Sequence, residues 1–200
     1  ALPYMSTEQN AAPKVGLFLF ALCAGVLYGA VHIANSWLFQ SLELTEHISF
    51  LYLPSFLRLL NVLVLGILWG TIGTAFGCAL MFFYLHDSLM LSMCNALVSA
   101  SSAAAAVWVL SILQQRRLSI TKLSDLFQLS LMCALLNALL HHVMWSAIDP
   151  EQLISANQLA VMAIGDINGA ILGALILRWI ASRSTFVQHL RQKATGSAQD

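Results

Sequence analysis

Charge is what this sequence has least of. Lysine, arginine, aspartate and glutamate make up 9% of its 200 residues, against about a quarter in soluble domains. A soluble globular enzyme is therefore not expected. Nine basic residues balance nine acidic ones, which removes the basic surface that nucleic acid requires. Cysteine is sparse too. Cys23, Cys78, Cys94 and Cys133 lie in apolar stretches without C-x-x-C spacing, so they read as small buried hydrophobes rather than zinc or redox ligands. Also missing are an H-E-x-x-H element, a phosphate loop, a Ser/His/Asp order and a pair of catalytic carboxylates, and the chain is read as non-enzymatic.

What is present is apolar: 59% hydrophobic residues and a mean hydropathy of +0.79. Residues 1–4 read as an extension ahead of a start at Met5, within an N-terminal tail, 1–14. Residues 15–182 read as a single transmembrane domain and 183–200 as a basic cytoplasmic tail. Apolar runs cover 15–39, 49–85, 89–113, 123–148 and 158–180; a span needs about 20 residues. Basic residues near span ends collect in the cytoplasm. One cluster is Arg116, Arg117 and Lys122; the other is Arg183, Arg191 and Lys193, with Arg178 at its edge. The connections holding Glu43 and Glu46, and Asp149 and Glu151, contain no basic residue and fit the outside.

An odd number of crossings must then link Glu46 outside to Arg116 inside. One helix over 49–85 gives two crossings; a break between Gly66 and Gly70 gives three. The expected fold is an all-α, polytopic membrane bundle of about six transmembrane helices with both termini cytoplasmic. Glycine supplies the turn, and Trp69 suits the headgroup level. Glycines also recur every four residues: Gly25 and Gly29, Gly73 and Gly77, and Gly165, Gly169 and Gly173. In lipid this spacing lets helix backbones approach closely. Packing within the chain is the favoured use, and a homo-oligomer interface is the alternative. The run 100–106 makes a similarly smooth face.

Ionisable groups inside spans are costly and mark candidate sites. His32, Arg58, His141, His142 and Asp166 all fall in the outer part of their spans, His47, His86 and Asp87 in outer connections, and only His189 in the cytoplasmic tail. Arg58 stays charged and needs a counter-ion, for which Asp166 is the candidate. Asn168 and the flanking glycines leave room for a helix or a ligand there. Asn137, His141 and Trp145 share a helix face, so His141 is taken as the inward member of the His141–His142 pair. Each residue also has a structural reading: interface histidines bond water or headgroups, and an Arg–Asp pair can simply lock two helices. Their concentration on one side favours a site. A divalent metal on His32, His141 or His142, haem on facing histidines, a pH-sensing element and an anion at Arg58 all stay open.

The segment Leu53-Pro54-Ser55-Phe56-Leu57-Arg58, followed by Gly66 and Trp69-Gly70, resembles the second-span region of bacterial membrane-associated sensor (MASE-type) domains. Gly165-Asp166-Ile167-Asn168-Gly169-Ala170 resembles the Gly-Asp-x-x-Gly-Ala motif of their last helix, and 118–125 resembles their polar connector. The resemblance runs over 49–180. It implies a signal-input domain of the inner membrane, with Pro54, Arg58, Gly66, Trp69, Gly70, Gly165, Asp166 and Gly169 as framework positions. The chain departs from the family in having fewer spans and no output domain after Ser182, so signalling would pass through a separate membrane or cytoplasmic protein partner. The expected function is a sensory or ligand-binding protein of the bacterial inner membrane, with Arg58, Asp166, His32, His141, His142 and Asn168 at an outward pocket. The alternatives are a small-solute transporter or substrate-capture subunit, a haem- or metal-binding subunit, and a scaffold subunit.

Overall fold

The computed structural model describes residues 14–45, 48–85, 88–116, 118, 122–148 and 155–183. The expectations for His47, His86, Asp87, Arg117, Asp149, Glu151, His189 and both tails lie outside those residues.

Helices dominate because the runs are apolar and almost free of proline. They are α1 (Lys14–Leu38), α2 (Pro54–Leu80), the short α3 (Phe82–Leu85), α4 (Leu89–Gln114), α5 (Leu123–Ile148) and α6 (Ala156–Arg183). The five long ones are long and apolar enough to cross a membrane, and the chain is a multi-pass membrane protein. Polar caps set the ends. Ser88 Oγ accepts from the Leu91 amide at 3.2 Å. At the start of α6, Ser155 Oγ accepts from the Gln158 amide while Gln158 Oε1 accepts from the Ser155 amide, a reciprocal capping box. Gln115, left-handed at φ 51°, closes α4.

Large apolar side chains such as Phe20, Leu68, Leu97 and Leu135 point outward, whereas the buried positions hold many small ones. Ala100, Ala103 and Ala106 are buried with Ser99 and Ser102, so the smooth face of α4 packs inward. This distribution suits lipid, where small interface residues let helices meet.

α2 is not one rod. Gly66 has φ 83° and ψ 168°, a region that essentially only glycine occupies. A Cβ at Gly66 would meet nothing within 4 Å, so the residue is required for its backbone angles and not for space. The chain folds back there. Asn61 Nδ2 donates to Thr74 Oγ1 at 3.2 Å, and a Cβ on Gly70 would strike the Asn61 and Val62 backbone at 2.5 Å. A straight helix would hold residues 61 and 74 about 20 Å apart. The two halves are short: 54–65 is about 18 Å long and 67–80 about 21 Å at the helical rise.

Glycine contacts fix the helix directions. Gly25 approaches Gly73 and Gly77, and Gly29 approaches Gly77, so α1 runs parallel to the second half of α2. Along α6, Gly165 faces Ser49, Gly169 faces Tyr52, and Gly173 faces Phe56, so α6 runs parallel to the incoming chain and the first half of α2. The α6 glycines correct an expectation: Gly165 and Gly169 admit a non-helical segment rather than a helix.

That segment is residues 49–53, expected to be helical. Gln40–Leu42 forms a 3-10 turn, and β1 (Glu43–Thr45) pairs antiparallel with β2 (Ile48–Ser49), so the bundle carries one small hairpin. The chain then descends along α6 to about half its length before Pro54, at the start of α2, lets a helix begin. Non-helical backbone at this depth survives only if every polar group finds a partner inside the protein. The Phe50 amide donates to Leu42 O and the Tyr52 amide to Gly165 O at 3.0 Å. The Leu51 amide donates to Ser49 Oγ, and the Leu53 amide to Asn35 Oδ1 at 2.9 Å. Leu51 O accepts from Asn35 Nδ2, and Phe50 O from Asn168 Nδ2 at 2.9 Å. Tyr52 O and Leu53 O accept from the Ser55 and Phe56 amides.

Candidate functional site

Because the segment enters beside α6, α2 starts deep in the bundle and Arg58 lies opposite Asp166. Arg58 is fully buried and Asp166 nearly so, with Nη2 2.7 Å from Oδ2. Arg58 Nη1 donates to Asn137 Oδ1 at 2.7 Å, and Asn137 Nδ2 donates to Asp166 Oδ2 at 2.9 Å. Arg58, Asn137 and Asp166 thus close a triangle across α2, α5 and α6. Ser55 Oγ donates to Asp166 O at 2.6 Å, and the Tyr52 ring lies 5.8 Å from the guanidinium carbon. Arg58 Nε has no hydrogen-bond partner among the described residues.

Beside the triangle is a cavity of about 70 Å³. At the roughly 30 Å³ that one water occupies, it holds about two. Asp166 and Asn137 form part of its wall, with His141, His32 and Tyr52. α4 contributes Ser92, Asn95 and Ser99, and Cys78, Met81, Phe82 and Met162 make an apolar side. His141 Nδ1 lies 2.9 Å from Asn137 O; a carbonyl only accepts, so that nitrogen carries a proton. The His141 ring meets Trp145 edge-on at 5.1 Å, and Trp145 Nε1 donates to Asn95 Oδ1 at 2.8 Å. Tyr28, which does not line the cavity, joins Tyr52 and His32 in a chain, with 3.1 Å between the two hydroxyls and 3.4 Å from Tyr52 to His32 Nδ1. Ser92 Oγ is buried and has no partner among the described residues.

The predicted residues therefore divide. Asp166, His32 and His141 line the cavity, and Arg58 supports it from behind. Asn168 does not line it; its amide is committed to Phe50 O. Nor does His142, whose Nδ1 is buried without a partner among the described residues. Pro54 starts α2, Gly66 makes the turn, Gly70 allows the hairpin to close, and Trp69 packs edge-on against Phe18.

No known protein family, curated protein or solved structure matches this chain. Its chemistry has to be read from the cavity itself. Among the described residues no three of histidine, cysteine, aspartate and glutamate come together as metal ligands, so the metal set His32, His141 and His142 is not assembled. A porphyrin is several times too large for the cavity, so haem does not fit between His32 and His141. Ser92, Asn95, Ser99 and the two tyrosines were not predicted. Their signal was faint: Ser92, Asn95, Ser99 and Ser102 recur on one face of an alanine-rich helix.

Proposed function

We propose that this chain is a non-enzymatic, multi-pass protein of the bacterial inner membrane that binds a small ligand in an outward-facing cleft and signals through a separate protein partner, as a relative of MASE-type sensor domains. In this reading 49–65, with its extended entry, and 67–85 each cross, giving six crossings with both termini cytoplasmic. Charge placement supports that orientation. Arg116, Lys122, Arg178 and Arg183 lie at the end of the bundle where Gly66 turns, and basic residues favour the cytoplasm. The cleft lies toward the other end.

The observation that carries the reading is the cavity itself: a polar pocket inside an apolar bundle, backed by a buried ion pair and holding a serine without a partner among the described residues. Polar groups at such depth are expensive. The test is thermal unfolding of the protein in lipid nanodiscs, with and without a small-molecule extract of bacterial cells. Stabilisation of the wild type, absent in Ser92→Val, whose extra methyl groups fill the cleft, supports the reading. An extract that never distinguishes the two proteins overturns it.

One observation favours a second reading, a small-solute transporter. Half-length helices and non-helical backbone beside a polar site are the pattern of transporters. Uptake of labelled solute into proteoliposomes would separate the two.

A further inference from the structure

We infer that the cleft takes a small, uncharged, hydrogen-bonding solute of the amide, urea or short-polyol kind. The inference rests on the ligand-binding reading and adds the chemical class.

Size sets the first limit. A cavity of about 70 Å³ holds about two waters at roughly 30 Å³ each, so only a guest of a few non-hydrogen atoms fits. Charge sets the second. Among the described residues, Asp166 is the one carboxylate on the wall, and its charge is already balanced by Arg58 at 2.7 Å. An anion entering would face the carboxylate. A cation would gain one carboxylate oxygen but lie close to a guanidinium, and an ion of either sign must give up its water to enter. That desolvation costs several kcal/mol.

Hydrogen-bonding capacity sets the third limit. Asp166 Oδ2 is taken by Arg58 and Asn137, while no described residue bonds Oδ1. That oxygen can only accept. Ser92 Oγ, 8% exposed as a residue and without a partner among the described residues, can donate or accept. Asn95 spends its oxygen on Trp145 Nε1, leaving the amide hydrogens as donors. A guest with an N–H or O–H for Asp166 and an oxygen for Asn95 and Ser92 meets all three.

The experiment measures equilibrium binding of radiolabelled urea, acetamide, glycerol, methylammonium and acetate to the full chain in nanodiscs. Saturable binding of an uncharged probe, weakened about three- to tenfold in Ser92→Ala as expected for one lost hydrogen bond, supports the inference. Tighter binding of methylammonium or acetate than of every uncharged probe overturns it. So does saturable uncharged binding that Ser92→Ala and Ser92→Val both leave unchanged, because the site is then elsewhere. Failure of all five probes also overturns it. If the cell extract still stabilises the wild type over Ser92→Val, only the chemical class has failed; if it does not, the ligand-binding reading fails too.

Discussion

The two ends of this bundle each hold an arginine–aspartate pair, and they are opposites. At the cleft end, Arg58 and Asp166 are 0% and 3% exposed, on different helices, with Asn137 between them. At the turn end, Arg116 holds Asp125 through two bonds of 2.7 and 2.6 Å. There the carboxylate is fully buried in the first turn of α5, but the arginine is 41% exposed. Asp125 gains from the helix N-terminus and, through its two hydrogen bonds, pushes the Arg116 guanidinium up from its ordinary value. The same chemistry thus serves as a staple on a loop in one place and as the wall of a cavity in the other. The difference lies in whether water can replace a lost partner.

Replacing Asp166 is the strongest way to break the comparison. Asp166→Asn keeps the shape but leaves Arg58 charged and unpaired, and should cost about 3–5 kcal/mol, read as a loss of unfolding free energy in detergent. Arg58→Met combined with Asp166→Leu should recover most of that stability, since the penalty belongs to the orphaned charge, while abolishing the response to cell extract. A double variant as unstable as the single one would show that the pair is needed for folding itself.

Next in size is Gly169→Ala. Its Cβ would fall 1.8 Å from Tyr52 O, backbone against side chain, so the non-helical segment must move. A loss of about 1–3 kcal/mol is expected, with the response to cell extract lost because Tyr52 moves. At the turn end, Gly66→Ala has open space but the wrong angles, and should cost a similar or smaller amount, about 1–3 kcal/mol, without altering the extract response. Gly66→Asn should not rescue it, because ψ 168° lies outside the left-handed helical region that asparagine tolerates. The smallest effect is expected for Arg116→Gln, a slight fall in melting temperature that vanishes in concentrated salt. If it matches Asp166→Asn, solvent access is not what separates the two ends.

The long helices were legible because lipid demands continuous apolar runs, and the bounds of α4 and α5 fall close to where the runs stop. The reversal in α2 was legible for another reason: the charges of Glu46 and Arg116 required an odd number of crossings, and glycine was available. Residues 49–53 were not legible. Phe50, Leu51, Tyr52 and Leu53 are as apolar as a helix would be, and the groups that satisfy their backbone, Asn35 and Asn168, are distant in sequence. The α6 glycines signalled close approach without saying what approaches. Asp166 opposite Arg58 followed from charge cost alone, but the polar face of α4 did not, since serines in an alanine-rich helix look like packing.

The turn at Gly66 bears on how the protein is made. Each half of α2 falls short of the roughly 17–25 residues that hold a helix in a bilayer by itself, so neither half can be released into lipid alone. The hairpin would enter as one unit, and α1, whose glycines receive its second half, is the wall already waiting when it does. Synthesis from the amino end would thus deliver scaffold before insert, and the pocket would close last, when α6 arrives with its aspartate.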